Sequence, residues 1–213
     1  MKVNPRHMSG LPAGNFSEWL RAMRAVLAGE GGMDVACGDC VGCCTSSYYI
    51  KVRAKESRAL AAIDPRHLDP EPTAAGDRLM GFDSNGHCHM FKNGGCSIYS
   101  DRPETCRTYD CRVFTAAGIP AGDDDKSAIN ERVARWRFEY PTETDRAEQG
   151  AVRAAANYLR QHPVRFPNGR VPSQPSDIAV LAVKTYRVFL DPPANDRAIA
   201  RAIVEANREF ARA

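Results

Sequence analysis

No run of about 18 apolar residues, the length that a membrane-crossing helix needs, occurs in the sequence. Residues 1–16, MKVNPRHMSGLPAGNF, hold no apolar stretch of signal-peptide type either. The expectation is a soluble, cytoplasmic protein with no membrane contact. Several catalytic signatures are also missing. There is no glycine-rich phosphate loop, no His-Glu-x-x-His and no Gly-x-Ser-x-Gly. The acidic run Asp123 to Asp125 lacks the spacing of a calcium loop and reads as solvated. No internal repeat occurs. Neither sign of charge dominates. The net charge is +3, with 15 Lys+Arg and 17 Asp+Glu in residues 1–131 and 14 and 9 in residues 132–213. That balance gives no basic stripe, so a nucleic-acid partner is not expected.

Cysteine is absent between Cys44 and Cys88 and again after Cys111. All eight are therefore confined to one stretch: Cys37, Cys40, Cys43, Cys44, Cys88, Cys96, Cys106 and Cys111. The first four stand as C-x2-C-x2-C-C. A chain of 213 residues buries enough core to fold without covalent staples. In a reducing compartment such a cluster reads as metal ligands or redox groups, not as a disulfide framework.

Periodicity predicts a mainly α fold: a helical scaffold around an irregular cysteine-rich metal-binding segment with a small β-hairpin. Phe16, Trp19, Leu20, Met23, Val26 and Leu27 mark one helix face, capped by Asn15 or Ser17. Residues 1–14 read as irregular. Ser46 to Val52 has strand character, and Lys55 to Ile63 reads as a helix stopped by Asp64-Pro65. Lys92-Asn93-Gly94-Gly95 predicts a hairpin, with Cys88 and Cys96 at the starts of its strands. Helices are expected over Asn130 to Tyr140, Thr144 to Gln161, Asp177 to Leu190 and Asn195 to Ala211. The expected division is a metal-binding region with an N-terminal helix, 1–120, and a helical C-terminal extension packed on it, 121–213.

The chemistry follows from the spacing. A C-x2-C pair turns back on itself and sets two sulfurs on one ion, and four thiolates close a tetrahedron around zinc. Cys37 with Cys40, and Cys40 with Cys43, both fit. The glycines between them, Gly38 and Gly42, permit tight turns. The same triplet matches the three-ligand loop of an iron–sulfur segment. Cys43 and Cys44 are neighbours about 3.8 Å apart at Cα, so their side chains are expected to diverge towards different metals, or one is a buried thiol. Eight thiolates carry excess negative charge. Arg102, Arg107 and Arg112 lie beside Cys106 and Cys111 and are candidates to offset it and to donate to sulfur. His87 and His89 flank Cys88 and, on a strand, point away from it. His7, His67 and His162 read as surface residues.

The ordered pattern Cys37–Cys44, Cys88, Cys96-Ser97-Ile98-Tyr99 and Arg102-Pro103-Glu104-Thr105-Cys106-Arg107 resembles the YkgJ-type CxxCxxCC cysteine-cluster family, over roughly residues 35–112. That resemblance implies zinc or iron chelation. A similar cysteine segment occurs in flagellin lysine-N-methylases, which would imply an iron–sulfur centre serving methyl transfer. Two functions stay open. One is a metal-binding protein holding zinc or iron on clustered thiolates, with a protein partner or substrate still to be found. The other is an iron–sulfur protein, with a 4Fe-4S cluster, acting as a redox or methyl-transfer enzyme. A metal-free redox protein is a third reading. No residue is singled out as catalytic.

Overall fold

The computed structural model describes residues 10–33, 35, 39–166 and 172–212. Cys37, Gly38 and His7 lie outside them. The chain is 52% helical, with eight α-helices and sheets of only two strands each among the described residues, so the fold is mainly α. No helix among them is long and apolar enough to cross a membrane. Compactness divides the chain into two interleaved units. A helical unit comprises the described residues up to Gly31 with 111–121 and 133–213. A thiol unit comprises 32–110 and 122–132. The N-terminal helix therefore groups with the C-terminal helices, and not with the cysteine segment.

In the helical unit, strand β1 (Leu11–Asn15) leads into helix α1 (Phe16–Leu27). The Asn15 side chain accepts from the N–H groups of Ser17 and Glu18, which have no partner inside the helix. Phe16, Trp19, Leu20 and Met23 are buried on one face of α1. The long helix α6 (Glu143–Gln161) begins with a capping box. The Thr142 hydroxyl accepts from the Asp145 N–H, and the Asp145 carboxylate accepts from the Thr142 N–H. Asp145 also accepts from Ser17 N–H, so one carboxylate ties the starts of α1 and α6 together. Ala151, Val152, Ala155, Ala156 and Leu159 form its buried stripe. Helix α7 (Pro175–Thr185) tightens into a 3-10 turn over Tyr186–Phe189, and helix α8 (Asp196–Phe210) is capped by Asn195.

One stretch departs from expectation. Residues 130–140, read as a helix, form the end of helix α5 (Ser127–Val133) and then strand β6 (Trp136–Glu139). Trp136 and Phe138 alternate with exposed residues along β6, a period of two. The strand pairs in parallel with β1, inside a segment read as irregular. Phe138 meets Phe16 edge-on at 5.1 Å and packs on Trp19 at 5.0 Å between ring centroids. Aromatic packing and burial decide the strand where local propensity did not.

The thiol unit is built from shorter pieces. Strand β2 (Ile50–Val52) pairs antiparallel with β3 (Arg78–Met80). Helix α2 (Ser57–Ala62) buries Ala59, with Ile63 buried just beyond it. Strands β4 (Phe91–Lys92) and β5 (Gly95–Cys96) form the expected hairpin. Asn93 and Gly94 both take positive φ, 52° and 78°, as its two-residue turn requires. Helix α3 (Glu104–Thr108) follows, with Pro103 at its cap position. Ile50, Val52, Ala59, Ile63, Leu68, Met80 and Met90 make the core of this unit, and Cys88, Cys96 and Cys106 pack against it half-buried.

Candidate metal centre

Cys43 and Cys44 lie on a 3-10 turn, Gly42–Thr45. Gly42 allows that turn to sit close to α5, because a Cβ there would meet the Ala128 carbonyl oxygen at 3.2 Å. The buried Ser46 hydroxyl donates back to the Gly42 carbonyl at 2.5 Å and fixes the end of the turn. Lys126 Nζ donates to the Ser47 carbonyl and lies 4.6 Å from the Tyr48 ring centroid. The thiols of Cys43 and Cys44 do not diverge as expected; they are hydrogen-bonded to one another. That contact, and then the desolvation imposed by surrounding atoms, push the Cys43 thiol well above the ordinary thiol range. Cys40 is half-buried.

Cys88 N–H donates to the Cys44 carbonyl at 2.8 Å, which docks the Cys88 segment on the turn. Cys88 pairs with Phe82 in a single bridge and does not start a hairpin strand, whereas Cys96 lies opposite Phe91 in the hairpin. The Phe91 N–H donates to the Cys88 carbonyl at 2.8 Å, and the N–H groups of Met90 and Phe91 favour the thiolate form of Cys88. Burial raises its thiol, and the Cys96 and Cys43 thiols add to the rise.

Cys106 sits on α3, which is anchored from two sides. Glu56 accepts from the Glu104 N–H at 2.5 Å and pairs with Arg107 at 3.6 Å. The Thr105 hydroxyl donates to the Lys51 carbonyl at 2.7 Å. Burial pushes the Cys106 thiol up to about 12, with Cys43, Cys88 and Cys96 adding to it, and the Arg102 guanidinium pulls the other way. The Cys43, Cys88 and Cys96 thiols thus lie within electrostatic reach of Cys106.

Cys111 falls in the helical unit, where it is buried and its sulfur accepts from the Trp136 indole N–H at 3.2 Å. Arg112 lies in that unit too, donating to the Ala13 carbonyl at 3.1 Å with its guanidinium 5.8 Å from the Trp136 ring centroid. Arg102 stacks on Tyr99 at 3.9 Å and is the arginine whose charge reaches Cys106. Arg107 donates to the Arg102 carbonyl. Neither His87 nor His89 is spent on a thiol. His87 packs edge-on against Phe91, and His89 stacks on His67. Glu56 is the residue that spacing did not flag. A Glu just before a helical run carries no metal signature, yet it holds the helix that carries Cys106.

A charged cleft of about 400 Å³ opens between α2 and α3, lined by Lys55, Glu56, Arg58, Asp101, Glu104 and Arg107 among others. Ion pairs link these walls, Arg58 to Asp101 and Arg107 to Glu56, and no cysteine lines it.

The donor chemistry suits a thiophilic metal. Cys88, Cys96 and Cys106 pack half-buried against one core, and the Arg102 charge favours the thiolate of Cys106. Among the described residues, however, no three His, Cys, Asp or Glu side chains already stand in position to hold one ion.

Residues 36–133 match a family model, CxxCxxCC, whose description is "Putative zinc- or iron-chelating domain". No curated protein matches the chain. No solved structure matches it either.

Proposed function

We propose that the thiol unit binds zinc or iron through Cys43, Cys88, Cys96 and Cys106 as its core ligand set, a reading supported by the match of residues 36–133 to the chelating-domain model. Cys37, Cys40 and Cys44 are the further thiols of the first segment, available to a second ion or to a cluster. Cys111, hydrogen-bonded to Trp136 in the helical unit, is left outside the core set. Arg102 offsets the charge of the thiolates, and Glu56 holds α3 in place for Cys106.

The observation that supports this reading is that Cys88, Cys96 and Cys106 pack half-buried against one apolar core, with Cys43 within electrostatic reach of Cys106 and the Cys88 N–H tied to the Cys44 carbonyl. The Cys43, Cys88 and Cys106 thiols, each raised above the ordinary range, keep their protons at neutral pH, so a bound metal displaces them. When bound, a four-thiolate zinc ion supplies folding energy and a cross-link, and an iron–sulfur cluster would add electron transfer. The chain's own share is to hold Cys88, Cys96 and Cys106 half-shielded from water on one core, with Cys43 exposed beside them to complete the set.

The test is purification without oxygen, with the visible spectrum and the zinc, iron and acid-labile sulfide content measured together. Stoichiometric zinc or iron, reduced at least severalfold in Cys106→Ser, is the expected result. A brown protein with sulfide would select the cluster form. Metal-free protein, or full metal retention by both Cys106→Ser and Cys88→Ser, would contradict the reading.

A further inference from the structure

Two of the chain's five histidines, His67 and His89, meet in the thiol unit, on side chains that the thiol centre does not use. His67 ends the 3-10 turn Pro65–His67 and stacks on His89, with ring centroids 4.1 Å apart and planes 13° from parallel. His87 lies edge-on to Phe91 at 5.4 Å. The Asp83 carboxylate is held by the N–H groups of Asn85 and His87, both at 2.9 Å, and lies within electrostatic reach of His87 and His89. All three histidines are half-exposed, so a hydrated ion can reach them.

We propose that His67 and His89 form a second metal site, imidazole-based and open to water, that takes a divalent transition-metal ion of the nickel, copper or zinc kind, with the Asp83 carboxylate beside it balancing charge. Imidazole nitrogen favours these ions over magnesium or calcium. The two rings lie face to face with their centroids 4.1 Å apart. The terminal torsion of histidine is broad, so a turn of one ring lets both nitrogens face one ion. With two protein ligands, water fills the remaining positions, and the site is weaker than any thiolate site. It does not depend on the thiol reading, because none of its residues is a cysteine.

Nickel(II) added to the protein as purified tests this, with the imidazole C–H signals followed by NMR. The signals of His67 and His89 shift or broaden at lower nickel concentration than those of His162. Calorimetry of the His67→Asn/His89→Asn double variant shows this binding weakened at least roughly tenfold, with an unchanged thermal melt. Should the double variant fold poorly, His67→Gln alone is expected to weaken binding in the same direction. Equal response of His162, or undiminished nickel binding by a folded variant, overturns the proposal.

Discussion

The helical unit and the thiol unit are held together by different means. The first buries large side chains on long, well-capped helices: Phe16, Trp136, Leu20, Leu159 and Val152 are all almost wholly removed from water. Burial on that scale stabilises without outside help, at about 25 cal/mol per Å² of apolar surface. The thiol unit has short helices, strands of two or three residues and a modest core edged by half-buried thiols. Packing sets one unit, and in the other, on the proposed reading, the half-buried thiols at the edge of the core serve as donors to an ion. The contrast leads us to expect that metal governs the stability of the thiol unit alone.

The largest effect is expected from the thiols. Cys106→Ser should remove metal and cost the thiol unit up to about 10 kcal/mol of apparent stability in the metal-loaded state, as for structural zinc sites; metal analysis and denaturant melts check this. Binding should also weaken as pH falls. The Cys106 thiol, pushed up to about 12, must lose its proton to bind, so protons compete more strongly in acid and are released on loading. Calorimetry in buffers of different ionisation enthalpy reads that release.

Leu159→Ala sharpens the comparison from the other side. It should cost about 2–5 kcal/mol through the cavity left in the helical unit, with metal content unchanged in elemental analysis. Trp136→Phe keeps most of the ring but deletes the N–H that Cys111 accepts. A loss of about 1–3 kcal/mol is expected, again without metal loss; a fall in metal content would bring Cys111 into the ligand set.

The smallest effects sit at the caps. Asn15→Ala should cost about 1 kcal/mol, read from the melting temperature. Asp145 adds a pH signature. Hydrogen bonds from the Thr142 hydroxyl, and then from the Ser17 and Thr142 N–H groups, hold its carboxyl well below the usual range. Its folded pKa is depressed, so its contribution is full above about pH 4 and is lost as pH falls towards the folded value. Asp145→Asn should remove that part of the acid sensitivity in a pH series of melts.

Helices with strong periodicity and a cap were legible in the sequence, as α1 and α6 show, and so was the Asn-Gly turn between β4 and β5. The β1–β6 pair was not. Leu11-Pro12-Ala13-Gly14-Asn15 carries proline and glycine, which argue against a strand, and its partner lies more than a hundred residues away. The spacing of Cys37 to Cys44 pointed to ligation at once. Which thiols come together could not be read, because the approach of Cys88 and Cys106 depends on Glu56, Thr105 and a core assembled from distant residues.

Hydrogen exchange with and without bound metal tests the central claim most directly. Stripping the metal with a chelator should strip protection from residues 42–45, 88–96 and 104–108, while residues 143–161 and 175–185 keep theirs. Unchanged exchange in the cysteine segments, or equal loss in both units, would contradict a metal centre that organises the thiol unit.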